Sequence, residues 1–442
     1  MKLEKKDILF IGFMLFSMFF GAGNLIFPPF LGQSSAENMI PAMIGFLATA
    51  VILPVLGVIV VSEADGLDRL ANRVNTKFSL IYTILIYISI GPGLGIPRAG
   101  SVPFEMAVAP YLPKDTNLTL VMFIYSFVFF AVSAWLTMNP SKMIDRLGSI
   151  LTPILLILIL FMFGAFLLKG HVDISTAQPE YQTLPFLKGF CEGYQTMDAI
   201  GALNFGLVIA VTLHERGVKK KKDVVSYTLK TGLIAGVVLA IVYIMLTYMG
   251  AASSGVYSLQ ENGAWTLRCV VNQLFGEAGA IILAAIFILA CLTTCVGLIA
   301  SISEYFAGLW PRFSYKQYVL IITAISFIIC NQGLTTILNV SVPILSAIYP
   351  MSIMLILLGL SDKWIKNNTY IYPFTIFGVG IISILFAFEE AGVSLGAFGT
   401  LLTHLPFYSL GFGWVTIAIV MIILSYVFAK IHPNKVQSVK SI

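Results

Sequence analysis

Charge is scarce in this 442-residue sequence: Asp, Glu, Lys and Arg make up 11% of it, against about 25% in a soluble globular chain. Apolar residues reach 58%, where about 45–50% is usual. A water-soluble fold is excluded, and the chain reads as an integral membrane protein. Cysteine is also rare. Cys191, Cys269, Cys291, Cys295 and Cys330 lie mostly inside apolar runs, odd in number and without paired spacing. Cys291 and Cys295 share a helix face but lack a neighbouring histidine, so they read as packing rather than as a metal site. The four histidines fall in or near loops, which argues against zinc. No ATP-binding motif, nucleophile elbow, paired catalytic carboxylates or membrane-embedded His cluster is present. A primary pump and an intramembrane enzyme are therefore not expected, and neither is a cofactor.

What is there is long apolar runs. Stretches of about 20 apolar residues span a bilayer, and twelve candidates occur at approximately 8–31, 38–62, 78–108, 118–137, 148–169, 186–211, 224–250, 277–308, 317–331, 336–360, 370–388 and 408–430. Their tight spacing leaves no room for a soluble domain, so 1–442 is expected to be one membrane domain. The net charge of +5 does not call for nucleic acid, because positive residues collect in cytoplasmic loops. With the N-terminus inside, the inner segments carry Lys2, Lys5, Lys6, Arg69, Arg73, Lys77, Lys142, Arg146, Arg216, Lys219 to Lys222, Lys230, Arg312, Lys316, Lys363, Lys366, Lys430, Lys435 and Lys440. The outer segments hold Lys114, Lys169, Lys188 and Arg268, and Arg98 falls within a span. This alternation predicts twelve crossings with both termini cytoplasmic. It also explains Lys219 to Lys222 without a lipid-headgroup site. Reading span one as a cleaved signal peptide would leave eleven spans and invert the bias of every loop.

Two spans are interrupted. Span one contains Gly21-Ala22-Gly23-Asn24 followed by Phe27-Pro28-Pro29, and span six contains Gly193-Tyr194-Gln195-Thr196-Met197-Asp198-Ala199-Ile200-Gly201. Hydrocarbon does not tolerate unpaired backbone groups unless protein or a watery cavity surrounds them. Broken helices at corresponding places in two halves mark a transporter's central site. Five spans separate the breaks, so an inverted duplication (about 8–169 and 186–360, with 370–430 added) would bring them together near the midplane. The plainer alternative is that these glycines merely let helices pack closely. It does not account for Asn24 beside Gly23 or Asp198 beside Thr196.

A broken helix offers amides from one half and carbonyls from the other, suited to a carboxylate and a cation respectively. An amino acid zwitterion carries both charges. Amides near Ala22, Gly23 and Asn24 are candidates for the carboxylate. Carbonyls near Phe19 and across Gln195, Thr196 and Asp198 are candidates for the ammonium, with Gly21 allowing close approach. In span eight, Thr293 and Thr294 either bond back to the preceding turn or offer oxygen to a hard cation. A buried arginine is costly and usually paired or functional. Arg98 in Gly91-Pro-Gly-Leu-Gly-Ile-Pro-Arg98 is read first as an ion pair or gate with Glu105, with direct substrate contact or a place in an aqueous vestibule as the alternatives. Asp198 is either a structural hydrogen-bonding group or a ligand and proton carrier.

Gly21-Ala-Gly-Asn-Leu-Ile-Phe-Pro-Pro, the 91–98 segment and Gly193-Tyr-Gln-Thr-Met-Asp-Ala together resemble the bacterial branched-chain amino acid:cation symporters, across nearly the whole chain. The resemblance implies the LeuT-type fold and uptake of leucine, isoleucine and valine, coupled to Na+ or in some members H+. A more distant likeness of Gly21 to Asn24 and Ala290 to Thr294 to LeuT-type sodium symporters implies a sodium site. Its ligands would be the Thr293 and Thr294 hydroxyls and the carbonyls of Ala290, Ser17 and Phe20. Asn24 is similar to a ligand of a second sodium whose other members have no match here. The expected protein is an all-α, multi-pass symporter of the bacterial plasma membrane, surrounded by lipid. A membrane-embedded amino acid sensor is the alternative from another class.

Overall fold

The computed structural model describes residues 3–432 apart from 114, 140–141 and 366–367. Lys2, Lys114, Lys366, Lys435 and Lys440, used above in the loop charge, lie outside them. Among the described residues the regular structure is helical throughout. Span one is two helices, α1 (Lys5–Phe19) and α2 (Ala22–Ser35). Span two is α3 (39–64), with a π-turn at Ala48–Ile52. Span three is α4 (Thr76–Ile88) and α5 (Gly95–Ala107), joined through a π-turn at Ser89–Gly93. Then come α6 (Leu118–Thr137) and α7 (Ile144–Lys169). Span six is again divided, into α8 (Pro185–Tyr194) and α9 (Asp198–Glu215). The other helices of more than six residues are α10 (Lys221–Ala252), α11 (Gly263–Phe275), α12 (Glu277–Leu309), α13 (Tyr315–Cys330), α14 (Leu334–Leu360), α15 (Ile371–Glu390) and α16 (Gly413–Ile431).

Ten of the described helices are long and apolar enough to cross a bilayer. One of these, Ala22–Ala64, takes in α2 and α3 with a turn at Ala36 (φ 42°) between them, and α13, at 16 residues, falls short of the ten. The twelve expected stretches are all helical, and α11 is an additional helix in what reads as an outer loop.

The chain divides into two compact units, one of 1–62 with 87–338 and one of 63–86 with 339–442. This division does not follow the repeat boundaries expected from the sequence, since a duplicated pattern need not coincide with a compact body. In the smaller unit α15 and α16 pack through Tyr370 and Phe428, ring centroids 5.0 Å apart. Arg73 pairs there with Asp362 at 3.0 Å.

In the larger unit, segments expected on one side of the membrane meet one another. Arg216, after span six, pairs with Asp7 before span one at 3.0 Å and approaches Asp145 at 3.8 Å. The loops at the opposite ends of the spans also join. Asp173 N–H donates to Ala252 O at 2.8 Å, and Gln178 N–H donates to Ser34 O at 2.9 Å. These pairings group the ends of spans one, five, six and seven into two sets, with Asp7, Asp145 and Arg216 in one and Ser34, Asp173, Gln178 and Ala252 in the other.

Candidate functional site

The break in span one lasts two residues. Phe20 leaves helical geometry at φ −76°, ψ 87°, and Gly21 is extended at φ −118°, ψ −153°. Their amides are nonetheless satisfied. Phe20 N–H donates to Phe16 O at 2.8 Å, and Gly21 N–H donates to Asn24 Oδ1 at 2.9 Å. Asn24 thus folds back one turn to hold the break open, which explains its place beside Gly23. No side chain caps the first turn of α2, so its positive end is left for another partner.

Span six breaks over Gln195–Met197, where Met197 takes a left-handed φ of 66°. A side-chain-bearing residue there is uncommon and costs about 1–3 kcal/mol, a strain characteristic of functional sites. The Thr196 hydroxyl donates to Gly193 O at 2.9 Å and steadies the turn. Asp198 then opens α9, a favourable place for an acidic group.

The two breaks meet. Asn24 Nδ2 donates to Asp198 Oδ2 at 2.6 Å and also to the Tyr243 hydroxyl oxygen. The Tyr243 hydroxyl in turn donates to the same Oδ2 at 2.8 Å. Spans one, six and seven are joined by three side chains, each at least 96% buried. Burying a carboxyl without partners is very costly, and here both donors are neutral.

Span three supplies Arg98. Gly91 is non-helical (ψ −127°), and a side chain on Gly95 would collide with Ile90 O. The span therefore restarts at Gly95 and brings Arg98 to the cavity. Its Nη1 and Nη2 donate to Gln195 O, both at 3.3 Å, and its guanidinium lies 5.3 Å from the Phe27 ring centre. The expected pairing with Glu105 does not form: Glu105 Oε1 accepts from Leu334 N–H at 3.0 Å. The seven-residue spacing assumed one regular helix face, whereas Glu105 is drawn to the start of α14, whose first amides need an acceptor.

Of the candidate cation ligands, Thr294 and Ser17 come together, the Thr294 hydroxyl donating to Ser17 O at 3.1 Å between α12 and α1. Thr293 instead donates to Ala290 O at 3.0 Å within its own helix, as the plainer reading allowed. Phe20 is buried one residue before Gly21. Of these groups Thr294 borders a cavity that is lined also by Phe19, Gly21 to Asn24, Arg98 and Thr196 to Asp198, whereas Ser17, Phe20, Ala290 and Thr293 stand behind its wall. Gln195 reaches the site through its carbonyl. Phe205 and Leu298 add apolar wall.

Tyr243 was missed in the sequence. Its signal was available: a hydroxyl amid Ile, Val, Leu and Met in span seven needs a buried partner. Met197 could not be found that way, since its left-handed backbone follows from how α8 and α9 are held.

A family model described as "Branched-chain amino acid transport protein" matches residues 4–432. The branched-chain amino acid permease BraB of Bacillus subtilis (strain 168) is 41% identical over 439 residues, covering 98% of each chain. The branched-chain amino acid transport system 2 carrier protein of Pseudomonas aeruginosa is 38% identical over 426 residues, 95% of each. Among solved structures, MhsT in complex with L-phenylalanine superposes with a TM-score of 0.57 at 15% identity, over 95% of this chain and 98% of that one. Mhp1, a nucleobase-cation-symport-1 family transporter, gives 0.56 at 15%, over 97% and 94%. At that identity the two structures speak for the fold alone, which is the LeuT-type transporter fold.

Proposed function

The chain belongs to the family of branched-chain amino acid transport proteins, and from that premise we propose that it is a Na+-coupled symporter carrying leucine, isoleucine and valine into the bacterial cell. It works as a multi-pass plasma-membrane protein with both termini cytoplasmic. The observation that carries this reading is the Asn24–Asp198–Tyr243 junction, which holds two helix breaks against one cavity. The uncapped start of α2 offers amides of Ala22, Gly23 and Asn24 to the substrate carboxylate. Carbonyls near Phe19 and in the Thr196–Asp198 stretch suit the ammonium, that of Gln195 being taken by Arg98. Phe205, Leu298 and Met18 leave an apolar space for the side chain. One methylene in such a pocket is worth about 1–3 kcal/mol, so discrimination among the three substrates is weak.

The donor set fits a sodium ion: hydroxyls of Thr293 and Thr294 and carbonyls of Ser17, Phe20 and Ala290 are neutral, hard oxygens. The 3.1 Å contact of Thr294 with Ser17 O already joins α12 to α1. An ion held there would fasten span one against span eight and fix the shape of the break beside it. Alternating access then consists of the two repeats, 8–169 and 186–360, rocking about a midplane site.

One observation favours H+ as the coupling ion instead. Asp198 is 4% exposed and takes its hydrogen bonds from the neutral groups Asn24 and Tyr243, an environment in which a carboxyl can carry a proton. Leucine uptake into proteoliposomes under imposed sodium or pH gradients separates the two. Accumulation that follows sodium and ignores pH supports the first reading, and the reverse supports the second. Leucine binding without accumulation under either gradient would mark a sensor and overturn the transport reading.

A further inference from the structure

Arg98 is buried to 5% exposure in a membrane-embedded cavity, yet its hydrogen bonds go to a single carbonyl. A guanidinium has five N–H donors in a fixed fork, matched to a carboxylate. Its two contacts to Gln195 O, at 3.3 Å each, are longer than the 2.7–2.9 Å typical of charge-assisted bonds. The Phe27 ring covers one face, and Glu105 is committed to Leu334. Arg98 and Asp198 are the charged side chains among those lining the cavity, one brought by span three and the other by span six. A charge this costly to bury calls for a close anionic partner; Asp198 attracts it electrostatically, but among the described residues no carboxylate forms a salt bridge or hydrogen bond with it.

We infer that Arg98 anchors the α-carboxylate of the transported amino acid, with Asp198 on the ammonium side. This assignment rests on the transport reading and deepens it: the site selects free α-amino acids by both charges, and main-chain amides are not the sole anion partner. Gly23 belongs to the same arrangement. A Cβ there would stand 2.8 Å from Arg98 Nη2 and 3.2 Å from Gln195 O, so glycine leaves the fork beside the open end of α2. Guanidinium and helix end then act on one carboxylate from adjacent directions. One positive and one negative wall also give a zwitterion a site in which the buried charges balance.

The test uses leucine and leucinamide, which share side chain and amine while the amide removes the negative charge. Both are measured by competition on purified full-length protein, for wild type, Arg98→Gln and Arg98→Lys. The wild type is expected to favour leucine by about a hundredfold, as for a buried charge pair. Arg98→Gln brings the two toward parity, through loss of leucine affinity with leucinamide retained, which also shows that the variant is folded. Arg98→Lys keeps the charge without the fork and falls between. A preference for leucine that is unchanged in Arg98→Gln or, should that variant not fold, in Arg98→Lys overturns the inference. Wild-type protein that binds no leucine defeats the transport reading itself, whereas leucine binding with a preference indifferent to Arg98 defeats the present assignment alone.

Discussion

Thr293 and Thr294 are adjacent in sequence but meet different partners, and this separates their expected effects. Thr294 reaches across to Ser17 O on α1, while Thr293 bonds within its own turn to Ala290 O. Thr294→Ala should raise the sodium concentration for half-maximal leucine uptake about tenfold, because a hydrogen-bonding contact to a charged group is worth about 1.5–3 kcal/mol. Thr293→Ala should raise it less, since its own helix already occupies that hydroxyl. Equal sodium dependence for wild type and Thr294→Ala would remove Thr294 from the ion site. Tyr243→Phe deletes one of the two donors to Asp198 Oδ2. Leaving a buried acceptor short costs about 1–3 kcal/mol, read as a lower melting temperature of the purified protein, and an unchanged Tm would mean the junction adds nothing to the fold. At this scale Asn24 and Asp198 were legible because polar side chains at a helix break in hydrocarbon need a purpose. Arg98 was legible as costly but not as to its partner. Whether it met Glu105 depended on where span three restarts, which the prolines and glycines between 91 and 97 leave open in sequence.

At the scale of elements, the glycines fall into two groups that sequence could not distinguish. Those at the breaks shape the site. Others let backbones touch: a Cβ on Gly45 would collide with Phe186 O, and one on Gly189 with Ala42 O, so α3 and α8 approach along a seam of carbonyls. The π-turn at Ala48–Ile52 continues this seam, turning the Thr49 hydroxyl to donate to Phe190 O at 2.8 Å. Gly45→Ala or Gly189→Ala should destabilise by about 1–3 kcal/mol or more, as overpacking does. Thermal unfolding in detergent checks this, and variants as stable as wild type would show that the seam yields. The close-packing reading of glycine therefore holds for α3 and α8, and in span one for Gly32, where a Cβ would collide with Thr247 O. Such π-turns, and the helix α11, left no readable trace. A π-turn depends on one extra residue being absorbed by packing, and α11, 13 residues long and half-buried, is too short to read as a span.

For the whole molecule, the apolar runs were enough to give an all-helical membrane protein and the places of its long apolar helices. Bilayer thickness and backbone hydrogen bonding allow few other solutions. What sequence left undetermined was where spans end and turn, as at Ala36, whose φ of 42° separates α2 from α3, because loops are set by local packing. A substrate held between two breaks should also tie the molecule together. Leucine at about a hundred times its Kd should stabilise the folded protein by about 2.7 kcal/mol, visible as a rise in Tm that leucinamide does not match. The most direct measurement is an experimentally determined structure of the protein with leucine bound. The account predicts the amino acid in the space bounded by Gly21–Asn24 and Gln195–Asp198, its carboxylate toward α2 and Arg98. Leucine found elsewhere, for instance in the pocket at Tyr111, Arg268 and Glu277, with the breaks closed into continuous helix, would contradict it.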